Sequence, residues 1–268
     1  MLWLELTAGR MPLAIEESDG LCLLPMGSME RHGPHLPVGC DTLAVEAVTR
    51  RAAEVEPAVV FPPLYFGQIA EARHCAGTIS LDHDLLLELV RTTLDEIARN
   101  GFDKILIVNG HGGNSGLLSY LMFWLLQEPR DYVPYVAGPG MFEEDRERWD
   151  EMREAEDGHA GEGETSVILH VRPDAVHLED FTDPADAESR GWQKDLGGIQ
   201  NPMWWYADHP THISGDPRHA TAEKGEFLVE AMVRKLVDTM KRVKADEVTP
   251  GLMEEFYRKA ERPAGTND

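Results

Sequence analysis

Apolar residues recur along the chain in two patterns, and together these predict strands that alternate with helices. Continuous apolar runs, typical of strands covered on both faces of a parallel sheet, occupy residues 21–26, 59–61, 104–108 and 132–137. Apolar residues at helical spacing begin after Asp41, after Asp82, at Leu117 and after Thr221. The alternation predicts an α/β fold, specifically a three-layer α/β/α sandwich with a mainly parallel central sheet.

We expect residues 1–245 to form a single domain, followed by a polar C-terminal tail over residues 246–268. Residues 180–218 lack a clear period and hold many Pro, Gly and Asp residues, which indicates a long excursion over the surface. Loops of this length are usually functional or disordered. The tryptophans in this segment argue against disorder.

The charge balance narrows the range of partners. The chain of 268 residues carries 48 acidic and 25 basic residues, a net charge of −23. Such a field repels phosphate backbones and anionic membranes, so we expect neither nucleic acid nor membrane as a partner. The three cysteines form no C-x-x-C pair, and no apolar run near the N-terminus is long enough for a membrane span. These features predict a cytoplasmic protein in a reducing compartment.

Potential metal ligands follow the first predicted strand. Glu30 and His32 lie two residues apart, so an extended backbone directs both side chains to one side. Asp41 follows at the start of a predicted helix, where the helix dipole favours its anionic form. Glu, His and Asp supply the oxygen and nitrogen ligands that zinc or manganese accepts. The alternative is a proline-stiffened turn with Asp41 as a helix cap.

A second histidine loop follows the predicted strand at 104–108. The stretch Asn109–Asn114 (NGHGGN) places His111 among glycines, where a substrate or metal can approach the backbone closely. Ligands of open parallel sheets bind beyond the carboxyl ends of the strands, and both histidine loops fall there. A flexible turn with a solvated histidine is the alternative.

A third cluster, residues 158–166 (GHAGEGETS), precedes an apolar helical run. It offers His159 as a proton shuttle, together with the carboxylates of Glu162 and Glu164. The alternative is that these acids cap the first turn of a helix, an interpretation that suits Glu164. Other histidines are expected to be solvated loop residues: His209, His212 and His219.

Four motifs occur in order along the chain, and together they resemble the creatininase (creatinine amidohydrolase) family. They are G-S-x-E-x-H-G-P-H-L-P-x-x-x-D, a G-T-[IT]-S-L turn, N-G-H-x-x-N after a strand, and H-x-G-x-x-E-T-S. The resemblance spans about Leu21 to Leu236. It implies an α/β/α sandwich, a two-metal site for zinc, manganese or iron, and often a hexamer. Known members cleave C–N bonds in cyclic amides, formamides or peptides.

The resemblance also implies roles for individual residues. Glu30, His32, Asp41 and His111 match the family's metal ligands, and Asp41 would bridge the two ions. His159 matches the family's proton-transferring histidine.

One departure from creatininase concerns its fifth ligand. Creatininase itself has a metal-binding Glu two residues after the His of N-G-H, where this chain has Gly113. This chain has Glu162 where creatininase has an apolar residue, so we hypothesise that Glu162 supplies the fifth protein ligand. The exchange argues against creatinine as the substrate.

The predicted activity is metal-dependent hydrolysis of a C–N bond in a small cyclic amide, formamide or similar molecule by a metal-bridging hydroxide. The predicted cofactors are two divalent ions, zinc first and manganese or iron as alternatives. Gly112, Gly113 and Trp204 are candidate substrate-binding residues, although loop packing is the alternative for Trp204. The resemblance implies a homo-oligomer, a hexamer. A metal-dependent lactonase or esterase and a non-catalytic, metal-stabilised accessory protein remain as alternatives.

Overall fold

A four-stranded parallel sheet forms the centre of the computed structural model, which describes residues 1–182 and 184–263. The strands are β1 Leu21–Met26, β2 Val59–Val60, β3 Lys104–Asn109 and β4 Val133–Ala137. Their order across the sheet is β2-β1-β3-β4, and each neighbouring pair is parallel. β1 and β3 pair along their whole length, from Leu21 opposite Lys104 to Met26 opposite Asn109. The carboxyl ends of these two strands therefore lie side by side.

Helices connect the strands and extend the chain beyond the sheet. They are α1 Met11–Glu17, α2 Cys40–Val55, α3 His83–Arg99, α4 Asn114–Leu125, α5 Glu143–Met152, α6 Glu162–Val171, α7 Trp204–Asp208, α8 Ala222–Lys244 and α9 Val248–Ala260. α2 begins slightly earlier than expected, so Asp41 lies in its first turn rather than at its cap. Across the described parts of the chain, no helix combines the length and apolar character that a membrane crossing requires.

The side chains of β1 alternate between two apolar layers. Leu21 and Leu23 pack with residues of α2, α6 and α8 on one face of the sheet. Cys22 and Leu24 pack with residues of α3 and α4 on the other face. All four side chains are fully buried, which explains why this strand is apolar at every position. Helices thus cover both faces of the sheet, and the predicted three-layer α/β/α sandwich is confirmed.

Close packing against α8 fixes the position of α6. A Cβ atom at Gly225 would lie only 1.9 Å from the Ser166 carbonyl oxygen, so the two backbones can approach this closely only because residue 225 is glycine. The Thr221 side chain caps α8 by accepting a hydrogen bond from the Lys224 backbone N–H. This packing brings the amino end of α6 beside the loop that follows β1, where Glu164 approaches His32.

The C-terminal segment differs from the polar tail expected over residues 246–268. Val248–Ala260 forms α9, and the Tyr257 hydroxyl donates to the Leu125 carbonyl oxygen at 3.3 Å. This contact ties α9 to the end of α4, so much of the predicted polar tail is helical. Residues 264–268 lie outside the described residues, and the domain limit at residue 245 stays a prediction.

The segment predicted to be irregular contains short 3₁₀ turns and the brief helix α7. Trp192 and Trp204 are 65% and 56% exposed, as expected of an excursion over the surface. The same segment also sends His212 into the interior, where its exposure falls to 1%. This irregular segment therefore reaches the carboxyl edge of the sheet.

Candidate metal centre

Separate parts of the chain meet at the carboxyl edge of the sheet. The loop after β1 contains Glu30 and His32, the first turn of α2 contains Asp41, and the loop after β3 contains His111. Each of these four residues is at most 7% exposed. The pairing of β1 with β3 brings the two loops together, as expected for neighbouring strands of a parallel sheet.

Glu30, Asp41 and His111 form a first group of converging ligand atoms. The His111 Nδ1 atom lies 3.0 Å from Glu30 Oε2 and 2.8 Å from Asp41 Oδ2. One ligand atom from each of the three residues lies within 4.8 Å of the other two. Two carboxylates and an imidazole at this spacing could hold a divalent cation.

His32, Asp41 and Glu164 form a second group. The His32 Nε2 atom lies 3.2 Å from Asp41 Oδ1 and 3.7 Å from Glu164 Oε2. Asp41 belongs to both groups, and its two oxygens face different imidazoles. A carboxylate in this position could contact two cations at once.

Backbone carbonyls fix the orientation of both imidazoles. His32 Nδ1 lies 3.1 Å from the Glu30 carbonyl oxygen, and His111 Nε2 lies 2.8 Å from the Gln68 carbonyl oxygen. Because a carbonyl oxygen only accepts, each of these ring nitrogens carries the proton that it donates. The opposite ring nitrogens face the carboxylates, and in the neutral imidazole each offers a lone pair to a cation.

The cluster concentrates negative charge away from bulk water. Burial opposes ionisation of Glu30, but hydrogen bonds from His111 and His212 lower its pKa to about 2. The pKa of Asp41 also lies well below its usual value, because interactions with His32 and His111 outweigh its burial. Both carboxylates are therefore ionised at neutral pH.

The two imidazoles respond in the opposite direction. Burial alone would lower the pKa of His32, but the charge of Asp41 raises it to about 10. Hydrogen bonds to Asp41 and Glu30 likewise outweigh burial and raise the pKa of His111 to about 11. The buried carboxylates thus stabilise nearby positive charge, which either imidazolium groups or a metal cation can supply.

The structure corrects the hypothesis that Glu162 is the fifth ligand. Its carboxylate is fully buried away from the cluster, where it accepts from the Lys224 ammonium and the backbone N–H groups of Glu154 and Ala155. Residues two apart on a helix point about 200° apart around its axis, so the two acids of α6 cannot share one side. The acid that faces the cluster is Glu164.

Glu164 combines a local role with its place in the cluster. Its Oε2 atom accepts a hydrogen bond from the Ala160 backbone N–H at 2.6 Å, which agrees with the interpretation of this acid as a cap. Burial raises the pKa of Glu164 to about 7, although the charge of His32 opposes this shift. A cation beside it would favour the ionised carboxylate.

His159 lies outside the two groups that share Asp41, but one of its ring nitrogens lies within 4.8 Å of ligand atoms of Glu30 and His32. Its Nε2 atom is 2.9 Å from the Arg31 carbonyl oxygen and 3.6 Å from Glu30 Oε1. Its ring centroid lies 4.2 Å from that of His32. Burial and the charge of His32 lower the pKa of His159 to about 3. The imidazole is therefore neutral at physiological pH.

His212 was expected to be a solvated loop residue, and this expectation was wrong. Its side chain is 1% exposed, and its Nε2 atom donates to Glu30 Oε1 at 2.7 Å. The Trp205 indole N–H donates to His212 Nδ1 at 2.7 Å, which leaves the ring proton on Nε2. The backbone of His212 has φ of 59°, a left-handed conformation uncommon for a residue other than glycine. No local sequence pattern indicates this contact, since Glu30 is 182 positions away.

Two further buried polar residues hold the loops in place. The Ser28 hydroxyl donates to Asp41 Oδ2 at 2.8 Å. The Asn114 side chain donates to the Gly27 carbonyl oxygen at 3.2 Å and accepts from the Gln68 backbone N–H at 2.8 Å. Both residues belong to the sequence motifs, which is the one signal that could have pointed to them.

A cavity of about 340 Å³, which we call the cluster cavity, opens beside these side chains. All three candidate substrate-binding residues line it: Gly112, Gly113 and Trp204. A Cβ atom at Gly113 would lie 2.4 Å from His111 Nε2, so a larger residue there would displace the imidazole. Trp204 and Trp205 meet edge to face, with ring centroids 5.5 Å apart. Aromatic rings and metal-ligand types therefore line one space.

The donor set fits a divalent cation that accepts mixed oxygen and nitrogen ligands. Three carboxylates and three imidazoles converge. The ring nitrogens of His32 and His111 that face the carboxylates can become unprotonated. Zinc, manganese and iron accept such sites. Among the described residues, no cysteine belongs to these ligand groups. The choice between zinc, manganese and iron therefore remains.

Comparisons with known proteins agree with the fold and the motifs. A family model for creatininase, described as creatinine amidohydrolase, matches residues 5–240. The chain is 33% identical over 236 residues to a mycofactocin precursor peptide peptidase from Mycolicibacterium smegmatis, covering 84% of this chain and 86% of the relative. It is 28% identical over 259 residues to a creatinine amidohydrolase from Pseudomonas putida, covering 88% and 95%.

Solved structures give the same result. A creatininase variant of the Zn–Zn type aligns with a TM-score of 0.77 at 26% identity, covering 91% of this chain and 98% of that chain. A manganese creatininase aligns with a TM-score of 0.78 at 25% identity, covering 91% and 99%. The fold and these relatives define the protein as a hydrolase of the α/β/α sandwich class. The chain belongs to the creatininase family.

Proposed function

We propose that this protein is a metal-dependent amidohydrolase that cleaves a C–N bond of a small molecule at a site for two divalent cations. The observation that carries the proposal is the pair of ligand groups that share Asp41. Relatives named for creatinine hydrolysis and for peptide cleavage support the bond type. Zinc is our first choice of metal, with manganese and iron as alternatives.

The proposed ligand set has five members. Glu30 and His111 would bind one cation, His32 and Glu164 the other, and Asp41 would contact both. Glu164 replaces Glu162 as the proposed fifth ligand. The three carboxylates would balance most of the charge of two divalent cations, and the two neutral imidazoles would donate lone pairs.

Two bound cations would supply a hydroxide nucleophile at neutral pH by lowering the pKa of a shared water. The side chains around the ligands hold them in place. Ser28 donates to one oxygen of Asp41, and His212 donates to one oxygen of Glu30. These contacts orient the carboxylates before substrate arrives, which is the usual role of a second layer around a metal site.

His159 is the proposed proton carrier. As a neutral imidazole beside the cluster, it would first accept a proton as the carbonyl is attacked. It then donates that proton to the departing nitrogen. Its contact with Glu30 and its place in the lining of the cluster cavity support both steps.

We also propose that the protein is a homo-oligomer, a hexamer by family resemblance, in the cytoplasm. On α4, Tyr120 and Phe123 are 60% and 73% exposed, an apolar surface that a second copy could cover. The cysteines are all unpaired and buried, which suits a reducing compartment: Cys22, Cys40 and Cys75. Sedimentation analysis of the full chain tests the oligomeric state, and a monomer would contradict it.

The activity is tested with metal-depleted protein and protein reloaded with zinc, manganese or iron. The substrates are cyclic amides, formamides, short peptides and lactones. We expect amide hydrolysis that disappears on depletion and returns on reloading. Hydrolysis of lactones alone would favour an esterase. Full metal loading without turnover of any substrate would favour an accessory protein.

The proton-transfer role is tested with His159→Ala. We expect this variant to keep its metals and to lose about 10²- to 10⁴-fold in kcat, the usual contribution of a general acid–base residue. Metal content and turnover are measured on the same sample. Loss of metal in parallel with loss of activity would contradict the role.

A further inference from the structure

A second cavity of about 390 Å³ lies between α2, α5, α6 and α8. We call it the apolar cavity, because most of its wall consists of apolar side chains. They include Ala44, Val48, Met141, Trp149, Leu228 and Met232. The proposed chemistry makes no use of this space.

The apolar cavity shares part of its wall with the cluster cavity. The residues that line both are Asp41, Gly110, His111, Gly112 and Glu164. Three of these five residues are proposed metal ligands. A group held in the apolar cavity would therefore lie directly beside the ligand cluster.

Gly112 leaves the shared wall open. An ideal Cβ atom at Gly112 would meet no atom within 4 Å, and the residue is exposed. In contrast, a Cβ at Gly113 would lie 2.4 Å from His111 Nε2, and one at Gly110 would lie 2.5 Å from Val45 Cβ. Packing requires glycine at positions 110 and 113. At position 112 the missing side chain instead leaves free space beside both cavities.

Hydrogen bonds tie the wall of the apolar cavity to the helix that carries Glu164. The Trp149 indole N–H donates to Asp157 Oδ2 at 3.1 Å, and the Gly163 backbone N–H donates to Asp157 Oδ1 at 3.0 Å. With its polar atom satisfied, Trp149 offers only apolar surface to the cavity. The cavity wall and the amino end of α6 are therefore held together before any substrate binds.

We propose that the apolar cavity binds an apolar substituent of the substrate, next to the bond that is cleaved. The inference rests on the proposed function and narrows it to amides that carry an aliphatic or aromatic group. Removal of such a group from water provides the binding energy, and the shared wall places the amide at the cluster. Short formamides would bind only at the cluster.

The test compares substrates that differ only in apolar length. One series holds formyl, butanoyl and hexanoyl amides of a single amine, and the other holds the formamides of methylamine and hexylamine. Each methylene that enters the cavity should raise kcat/KM about fourfold. We expect such a rise in at least one series.

Two alanines of α2 provide matched variants. Ala44 lines the apolar cavity, whereas Ala47, three residues further along and also half-buried, lines neither cavity. We expect Ala44→Phe to remove the preference for long chains, about tenfold or more in kcat/KM, while the formyl substrate is unaffected. Ala47→Phe should change neither the preference for long chains nor the activity on the formyl substrate. Ala44→Leu fills less of the space and serves if the larger side chain prevents folding.

Several results would overturn the inference. Activity that does not depend on chain length in either series would do so and would leave the proposed function intact. An equal loss for short and long substrates in Ala44→Phe and Ala44→Leu would also overturn it. If the metal-loaded protein hydrolyses no amide, the proposed function has failed, and the cavity is then tested by calorimetry with hexanamide and acetamide. Stronger binding of hexanamide that Ala44→Phe abolishes would support the cavity, and equal binding of both would overturn it.

Discussion

The sheet edge and the amino end of α6 hold their proposed ligands by different means. Glu30 and His111 lie in loops whose strands β1 and β3 pair along their whole length, so backbone register sets their positions. Glu164 faces the cluster on a helix whose other acid, Glu162, is bound by Lys224 of α8. Asp41 belongs to both ligand groups, whereas Glu164 belongs to one of them. Damage at Asp41 should therefore disable the whole site, whereas damage at α6 should affect one cation.

The largest effect is expected from Asp41→Ala. Asp41 faces both His32 and His111, so its loss should release both cations. We expect kcat/KM to fall by more than about 10⁴-fold, beyond the contribution of a single proton carrier. Metal content is measured by mass spectrometry of the purified variant. Full retention of either cation would contradict a shared carboxylate.

The pair Glu164→Gln and Glu162→Gln separates the two acids of α6. We expect Glu164→Gln to weaken one cation by more than about 100-fold, because it removes a charged ligand rather than a supporting contact. Glu162→Gln should keep both cations but lower the free energy of unfolding by about 2 kcal/mol, since Lys224 loses a buried charged partner.

Metal titration and urea unfolding on both α6 variants check this separation. The reverse outcome, with metal loss in Glu162→Gln alone, would restore the original hypothesis for the fifth ligand.

A smaller effect is expected from His212→Ala. This histidine supports Glu30 without belonging to the proposed ligand set, and such supporting residues typically contribute about 10- to 100-fold to metal affinity. His219→Ala is the matched control, because its side chain is 45% exposed and lies outside the cluster. Equal metal affinities of the two variants would show that the irregular segment does not support the site.

The smallest expected effect is a difference between the metal-free and metal-loaded protein in how stability depends on pH. In the metal-free protein, His32 and His111 have pKa values raised from 6.5 to about 10 and about 11. Their stabilising contribution is therefore complete below pH 6.5 and is lost as pH rises through about 10 to 11. Glu30 has a pKa lowered from 4.5 to about 2, so its contribution is complete above pH 4.5 and is lost in acid.

The metal-loaded protein should show the opposite trend above pH 6.5. Metal binding requires neutral imidazoles, so the stability that metal adds should grow as pH rises and vanish in acid. Urea unfolding of both forms at several pH values between 4 and 9 measures the difference. Parallel curves for the two forms above pH 6.5 would contradict the assignment of His32 and His111 as ligands.

Strands and terminal helices differ in how clearly the amino-acid sequence marks them. The strand at 21–26 has the predicted limits, because a buried parallel strand is apolar at each position and its ends are marked by glycine. The helix α9 was not predicted, since Pro250 and Gly251 stand near its start and its contact with Leu125 comes from a distant helix. Burial signals are local, whereas docking of a terminal helix depends on a partner elsewhere in the chain.

The amino-acid order alone was sufficient to locate the sheet, the two histidine loops and their meeting at one edge. That inference needed only the alternation of elements and the rule that ligands bind beyond the ends of parallel strands. Tertiary packing selected Glu164 over Glu162 and brought His212 to Glu30. The direction of a helical side chain depends on the rotation of the whole helix, which Lys224 and the close approach at Gly225 set. Contacts between residues so far apart in the chain leave no periodic signal that a sequence pattern could reveal.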